Sequence, residues 1–234
     1  MKVGILKADS VLDRFQPEFG DYPDMFRAAL GAAGGEGVTY RTYDVVAGVY
    51  PGRPDECDGY IITGSKLSVY DDEPWIHALE DYVRLLDDTE TKTVGICFGH
   101  QMVAQALGGK TEPAPGGWCV GVHEARIVES IAAFDPPRER VRLLSSHRDQ
   151  VSRLPDRARV IAVSDDCPVS GMAVGDHMLT FQGHPEFCKG YSRALLEYRK
   201  DILAEKYVRG VSSLAESTDE TIVSRWMLGF IAGR

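Results

Sequence analysis

Thr93-Val94-Gly95-Ile96-Cys97-Phe98-Gly99-His100-Gln101 is the stretch around which the chain changes direction. The apolar run ends at Ile96, a cysteine follows, and His100 to Leu107 reads as a helix that Gly108-Gly109 stops. That is a strand, a sharp turn and a helix. A residue at such a corner stands clear of the sheet with its side chain at the helix N-terminus. Unpaired N–H groups and the helix dipole favour an anion there. Most cysteines are simply small buried hydrophobes. Here Gly95 and Gly99 flank Cys97 at i−2 and i+2, where missing side chains let the backbone turn tightly and a substrate approach. Cys97 is therefore the candidate nucleophile.

A thiolate nucleophile needs a base, and the base needs a group that orients it. Of the six histidines, His184 is the best placed. It follows the apolar run Leu179-Thr180-Phe181 in Gln182-Gly183-His184-Pro185-Glu186, at a strand end, where open α/β sheets carry their chemistry. Glu186, two residues on, is positioned to accept a hydrogen bond from the imidazole and fix its tautomer. His100 is nearer to Cys97 in sequence. It falls in the first helical turn, however, where its ring is expected to lie along the helix rather than across the elbow.

Gly95-Ile96-Cys97-Phe98-Gly99-His100-Gln101 together with Gly183-His184-Pro185-Glu186 resembles the class I glutamine amidotransferases, a family with a Cys-His-Glu triad. The likeness runs from the first strand to about residue 190. It is greatest to stand-alone members similar to the amidotransferase domain of GMP synthase and to plant γ-glutamyl peptidases. It implies a flavodoxin-like α/β fold, with a mostly parallel central sheet flanked by helices and a small β extension. It also implies an oxyanion site made by the backbone N–H groups of Gly64 and Phe98. Phe98 is independently suggested as the residue just after the nucleophile. The family often has a glycine where Lys66 stands. Ser145-Ser146-His147-Arg148-Asp149 resembles the family's Ser-His-Gly-Asp stretch, which grips the amino-acid end of glutamine. Carried across, Ser146, Arg148 and Asp149 are backbone-level substrate-binding positions and Gln101 contributes a side-chain contact. Arg148 replaces a glycine, which predicts a narrower or more basic pocket entrance.

The composition suits one catalytic domain over residues 1–234, with C-terminal helices from about 190 packed on it. No run of about 18 apolar residues appears, and the N-terminus has no signal-peptide layout, so a cytoplasmic protein with no membrane partner is expected. Cys57, Cys97, Cys119, Cys167 and Cys188 form no C-x-x-C pair and fit reduced thiols, with no metal and no cofactor expected. Residues 1–96 hold 18 acidic and 9 basic side chains, so the whole net charge of −9 belongs to that part. Nucleic acid, which needs clustered Lys and Arg, is not an expected partner.

Lys2–Lys7, Val38–Tyr43 and Tyr60–Ile62 read as strands, and Trp75–Leu86 reads as a helix. Residues 9–23 form a long connection carrying Phe15, Phe19 and Tyr22, suited either to roof a site or to pin itself to the core. From about 116 to 163, four short strands (120–122, 125–128, 141–144 and 160–163) are expected to extend the sheet at its side. Residues 171–174 and 178–181 read as a hairpin. Two helical stretches, 191–209 and 218–231, should end the chain, the second opened by a capping box at Ser217–Glu220 and packed through Ile222, Trp226, Leu228 and Phe230.

The implied chemistry is thiol-dependent hydrolysis of glutamine or a related γ-glutamyl amide through a thioester. The products are glutamate and either ammonia or an amine. The Ser-Gly-Gly-Val-Asp-Ser motif of the synthase half of GMP synthase is absent, so ammonia would go to a separate synthase subunit or to solvent. Two other readings stand beside this one. One is a γ-glutamyl peptidase or transferase acting on larger conjugates, and the other is a catalytically silent binding or regulatory module.

Overall fold

A computed structural model describes all 234 residues. Its centre is built from the runs whose apolar residues continue without alternation. Strands β3 (Gly59–Ile62), β4 (Thr93–Ile96) and β11 (Met178–Phe181) are buried at every position, as strands covered on both faces must be. β1 (Lys2–Lys7) joins them, with β2 (Thr39–Asp44) at the edge. β2, β1, β3, β4 and β11 lie in that order and run parallel. The hairpin expected at 171–181 is present: β10 (Gly171–Val174) pairs antiparallel with β11.

Beyond β10 the sheet continues antiparallel through β9 (Ala158–Val163), β6 (Cys119–Ile127) and β7 (Arg140–His147), making nine strands. The runs 120–122 and 125–128 are thus one strand, which belongs to the main sheet. The separate piece is a two-stranded sheet of β5 (Lys110–Pro113) and β8 (Asp149–Arg153).

Successive side chains on a strand point to opposite faces, and the two faces are filled differently. Ile5, Ile61 and Val94 pack with Phe26 and Leu30 of α2 (Tyr22–Ala32) and Val223, Trp226 and Phe230 of α8 (Glu220–Ile231). Leu6, Tyr60 and Ile62 pack instead on Leu79 and Val83 of α3 (Pro74–Asp88) and Met102 of α4 (Phe98–Ala106). Trp226 stacks on Phe134 at 4.1 Å, and its indole N–H donates to the Pro136 carbonyl at 3.0 Å, so α8 is docked as its apolar face predicts. No helix is long and apolar enough to cross a membrane.

Three local expectations give way to tertiary contacts. The connection 9–23 contains a short helix α1 (Gln16–Phe19), and α2 begins at Tyr22, capped by Asp21 in a capping box with Asp24. Phe15 and Phe19 lie against Tyr191, so these aromatics pin the segment to α5 (Lys189–Tyr198). The stretch 191–209 is three helices, with α6 (Lys200–Leu203) and α7 (Glu205–Ser213) separated at Ala204, whose φ is 50°. The capping box at 217–220 does not form. Asp219 instead accepts the Arg142 N–H at 2.8 Å and donates its own N–H to the Arg142 carbonyl at 2.8 Å, tying α8 to β7.

Candidate active site

The parallel strands leave their C-terminal ends on one edge of the sheet, where the loops after β1, β3, β4 and β11 meet. Cys97 follows β4 with φ 52° and ψ −102°, a conformation that a residue with a Cβ holds only when its surroundings impose it. The Cys97 N–H donates to the Phe181 carbonyl at 2.9 Å, and the Cys97 carbonyl accepts from Gln101 N–H at 3.0 Å. The corner is therefore bonded to β11 on one side and to the helix on the other.

The flanking glycines are steric requirements. A Cβ on Gly95 would lie 2.5 Å from the Gly99 carbonyl oxygen, and one on Gly99 would lie 2.4 Å from that of Ile62. Both obstacles are backbone atoms. Gly99→Ala is accordingly expected to destabilise the fold by about 2–3 kcal/mol in denaturant unfolding, and a loss below about 0.5 kcal/mol would refute this account of the elbow.

His184 N–H donates to the Leu144 carbonyl at 2.8 Å, which anchors the histidine against β7. Its Nδ1 lies 2.8 Å from Glu186 Oε1, and because a carboxylate only accepts, Nδ1 carries the hydrogen. Nε2 has no hydrogen-bond partner. Phe187 stacks on the imidazole at 3.8 Å with 12° between the planes, fixing the ring's orientation. Burial opposes charge on His184, yet Glu186 and Cys97 together outweigh it and raise the imidazole to about 10. The nearer rival is fully occupied. His100 bonds Thr180 Oγ1 at 2.7 Å and the Val169 carbonyl at 3.1 Å, and burial pushes it down to about 3. His147 bonds the Asp149 carbonyl at 3.0 Å, and burial lowers it to about 4.

Gly64 is beside both of these side chains. A Cβ there would lie 3.2 Å from His184 Cε1 and 3.9 Å from the Cys97 Cβ. Phe98 opens α4, so its N–H has no intrahelical acceptor. Lys66, at the position where a glycine was expected, pairs with Asp9 through both its N–H and its ammonium at 2.8 Å. That joins the loop after β3 to the loop after β1.

The expected substrate-binding stretch divides in two. Gln101 Nε2 donates to the Asp149 carbonyl at 2.8 Å and to Gln182 Oε1 at 3.0 Å, so Gln101 and Asp149 are joined. The Asp149 carboxylate accepts from the Ser68 hydroxyl. Ser146 points to the other face of β7, where its Oγ accepts from Arg199 Nη1 at 2.7 Å. The Arg148 side chain is half exposed, with Nε 3.5 Å from Asp149 Oδ1. Sequence reasoning missed Phe187, Ser68 and Gln182. Phe187 and Gln182 flank the His184 segment closely enough to be suspected, whereas Ser68 sits in a loop with no motif. A cleft of about 580 Å³ between β6, α7 and the 114–118 loop does not include Cys97.

The glutamine amidotransferase class-I family model matches residues 41–199, more than half of the chain. Gamma-glutamyl peptidase 2 of Arabidopsis thaliana is 36% identical over 174 residues, 72% of this chain and 70% of that protein. The glutamine-hydrolyzing GMP synthase of Clostridium novyi is 39% identical over 94 residues, 40% of this chain but 18% of that protein. The crystal structure of a glutamine amidotransferase from Thermotoga maritima superposes with a TM-score of 0.75 at 21% identity, covering 100% of this chain and 97% of that one. Strand order, elbow and family match agree, and the chain belongs to the class-I glutamine amidotransferase family.

Proposed function

We propose that the protein hydrolyses γ-glutamyl amides with Cys97 as nucleophile, His184 as acid and base, and Glu186 as the group that orients and charges the histidine. The observation that carries this reading is the His184–Glu186 bond of 2.8 Å, with Nε2 left unpartnered beside a cysteine on a strained elbow. The thiolate attacks the side-chain carbonyl carbon. The N–H groups of Gly64 and Phe98 hold the oxyanion that forms. Imidazolium Nε2 protonates the departing nitrogen, the C–N bond breaks, and a γ-glutamyl thioester remains. The now neutral imidazole takes a proton from water, whose oxygen attacks the thioester and releases glutamate. The Gln101 side chain and the backbone of Ser146, Arg148 and Asp149 are assigned to the amino-acid end of the substrate, while the Ser146 hydroxyl is turned to Arg199. Residues 1–234 act as one catalytic unit in this reading. Five free cysteines suit a cytoplasmic setting.

Within this reaction a γ-glutamyl conjugate is favoured over glutamine as substrate. The support is the 36% identity to a gamma-glutamyl peptidase over 72% of the chain, against a synthase likeness limited to 40% of it. Ammonia delivery to a separate synthase subunit is the second reading, and it rests on that shorter likeness. Glutamate release should be measured with glutamine and with γ-glutamyl dipeptides under one set of conditions. Higher kcat/KM for the dipeptides is expected. Preferential glutamine cleavage would overturn the peptidase assignment, and no cleavage of any substrate would bring forward the silent-module alternative.

A further inference from the structure

Arg142, Arg159 and Arg199 are the half-buried arginines of this chain. Arg142 pairs with Glu124 at 2.9 Å and Arg159 with Glu129 at 2.6 Å. Arg199 has no carboxylate within 4 Å, although acidic side chains outnumber basic ones by 35 to 26. It is nonetheless held in place. Its guanidinium lies 5.1 Å from the centre of the Trp118 ring and donates to Ser146 Oγ at 2.7 Å. A guanidinium fixed by a ring on one face and by a single hydroxyl keeps most of its five N–H donors free.

Its position relates it to the active site. Ser146 is two residues along β7 from Leu144, whose carbonyl accepts the His184 N–H. Tyr191 packs on Phe187, the ring that stacks on His184, at 4.8 Å. Burial raises the Tyr191 phenol, on which Arg199 acts downward and Glu186 upward. On the other side, Trp118 is part of the wall of the 580 Å³ cleft. Arg199 is thus linked through Ser146 to the strand that holds His184 and through Trp118 to the wall of that cleft.

We propose that Arg199, supported by Trp118 and Ser146, is the residue that binds a carboxylate of the substrate. The carboxylate is either the α-carboxylate of the γ-glutamyl group or that of an amino-acid leaving group. This rests on the γ-glutamyl reading of Cys97, His184 and Glu186. It deepens that reading by making the enzyme selective for anionic substrates. An arginine that merely complements the C-terminus of α5 would affect stability and leave substrate choice unchanged.

The test uses the full chain and three probes: γ-glutamylglycine, γ-glutamyl ethylamide and the α-amide of γ-glutamylglycine. Binding is measured by calorimetry in the Cys97→Ala background, where no turnover is required. The kcat and KM are measured alongside with Cys97 intact. Arg199→Gln should weaken γ-glutamylglycine binding about 10-fold or more and raise KM similarly, with kcat within about 2-fold and partial recovery in Arg199→Lys. Trp118→Leu, which removes the ring platform, should give a smaller loss in the same direction.

Selectivity against the ethylamide that Arg199→Gln erases identifies the leaving-group carboxylate. Selectivity against the α-amide that it erases identifies the α-carboxylate. Unchanged binding and selectivity in Arg199→Gln with a normal melting curve overturn the proposal. Arg199-dependent binding without turnover would sink the hydrolase reading and leave the carboxylate site standing. Absence of binding by all three probes would overturn both.

Discussion

Cys97→Ala should lower γ-glutamyl hydrolysis by on the order of 10⁴-fold or more, because it removes the only atom assigned to form the covalent intermediate. The Cβ stays, and with it the backbone that holds φ at 52°. Folding should therefore change little, and the melting temperature should stay near that of the unaltered protein. The residual rate would report what the oxyanion N–H groups proposed at Gly64 and Phe98 achieve by polarising a bound carbonyl. Quenched reactions of the unaltered protein examined by mass spectrometry should show a γ-glutamyl adduct on the peptide containing Cys97, and the variant should show none. Retention of more than a few per cent of activity in a clean preparation would remove Cys97 from the mechanism. An adduct on another of the five cysteines would move the nucleophile there. Cys119 and Cys167 are poor candidates on physical grounds: burial raises these thiols to about 12 and about 11, so they stay protonated near neutral pH.

The elbow was legible from sequence because its requirements are local. Gly95 and Gly99 meet backbone atoms of Gly99 and Ile62, and no other residue type fits either place. His184 and Glu186 were legible for a similar reason, since two residues of extended chain after a strand suffice to bring carboxylate and imidazole to 2.8 Å. The parallel strands announced themselves as apolar runs. The surroundings were not legible, because they are made by contacts distant in sequence. Arg199 reaches Ser146 across 53 residues, and Gln101 reaches Gln182 across 81. Neither leaves a period in the sequence. The capping box at 217–220 failed for the same reason, as Asp219 found stronger use bonding the Arg142 backbone than capping its own helix. The break at Ala204 occurs without a glycine or proline to signal it.

Glu186→Gln separates the charge of the third residue from its shape. The amide has the same size, and its oxygen can still accept from His184 Nδ1–H, so the ring should keep its place over Phe187. What disappears is the negative charge. In the unaltered protein, burial works against protonation of His184, and Glu186 with Cys97 overcomes it to raise the imidazole to about 10. Without the carboxylate, burial has less opposition and the imidazole titrates at lower pH. With His184 as the proposed acid for the leaving amine, that acid would be lost earlier on the alkaline side. The alkaline limb of kcat/KM should move to lower pH, and kcat should fall by about 10²–10⁴-fold. Stability carries the same sign. A histidine raised from about 6.5 contributes stability that is complete below about pH 6.5 and is lost as pH rises through about 10. The unaltered protein should therefore lose melting temperature across that window, and Glu186→Gln should show a flatter profile. Paired pH–rate and pH–melting series on the two proteins test both signs together. An alkaline limb that stays in place while kcat falls would mean that Glu186 orients His184 without charging it, and an unchanged kcat would exclude Glu186 from the reaction.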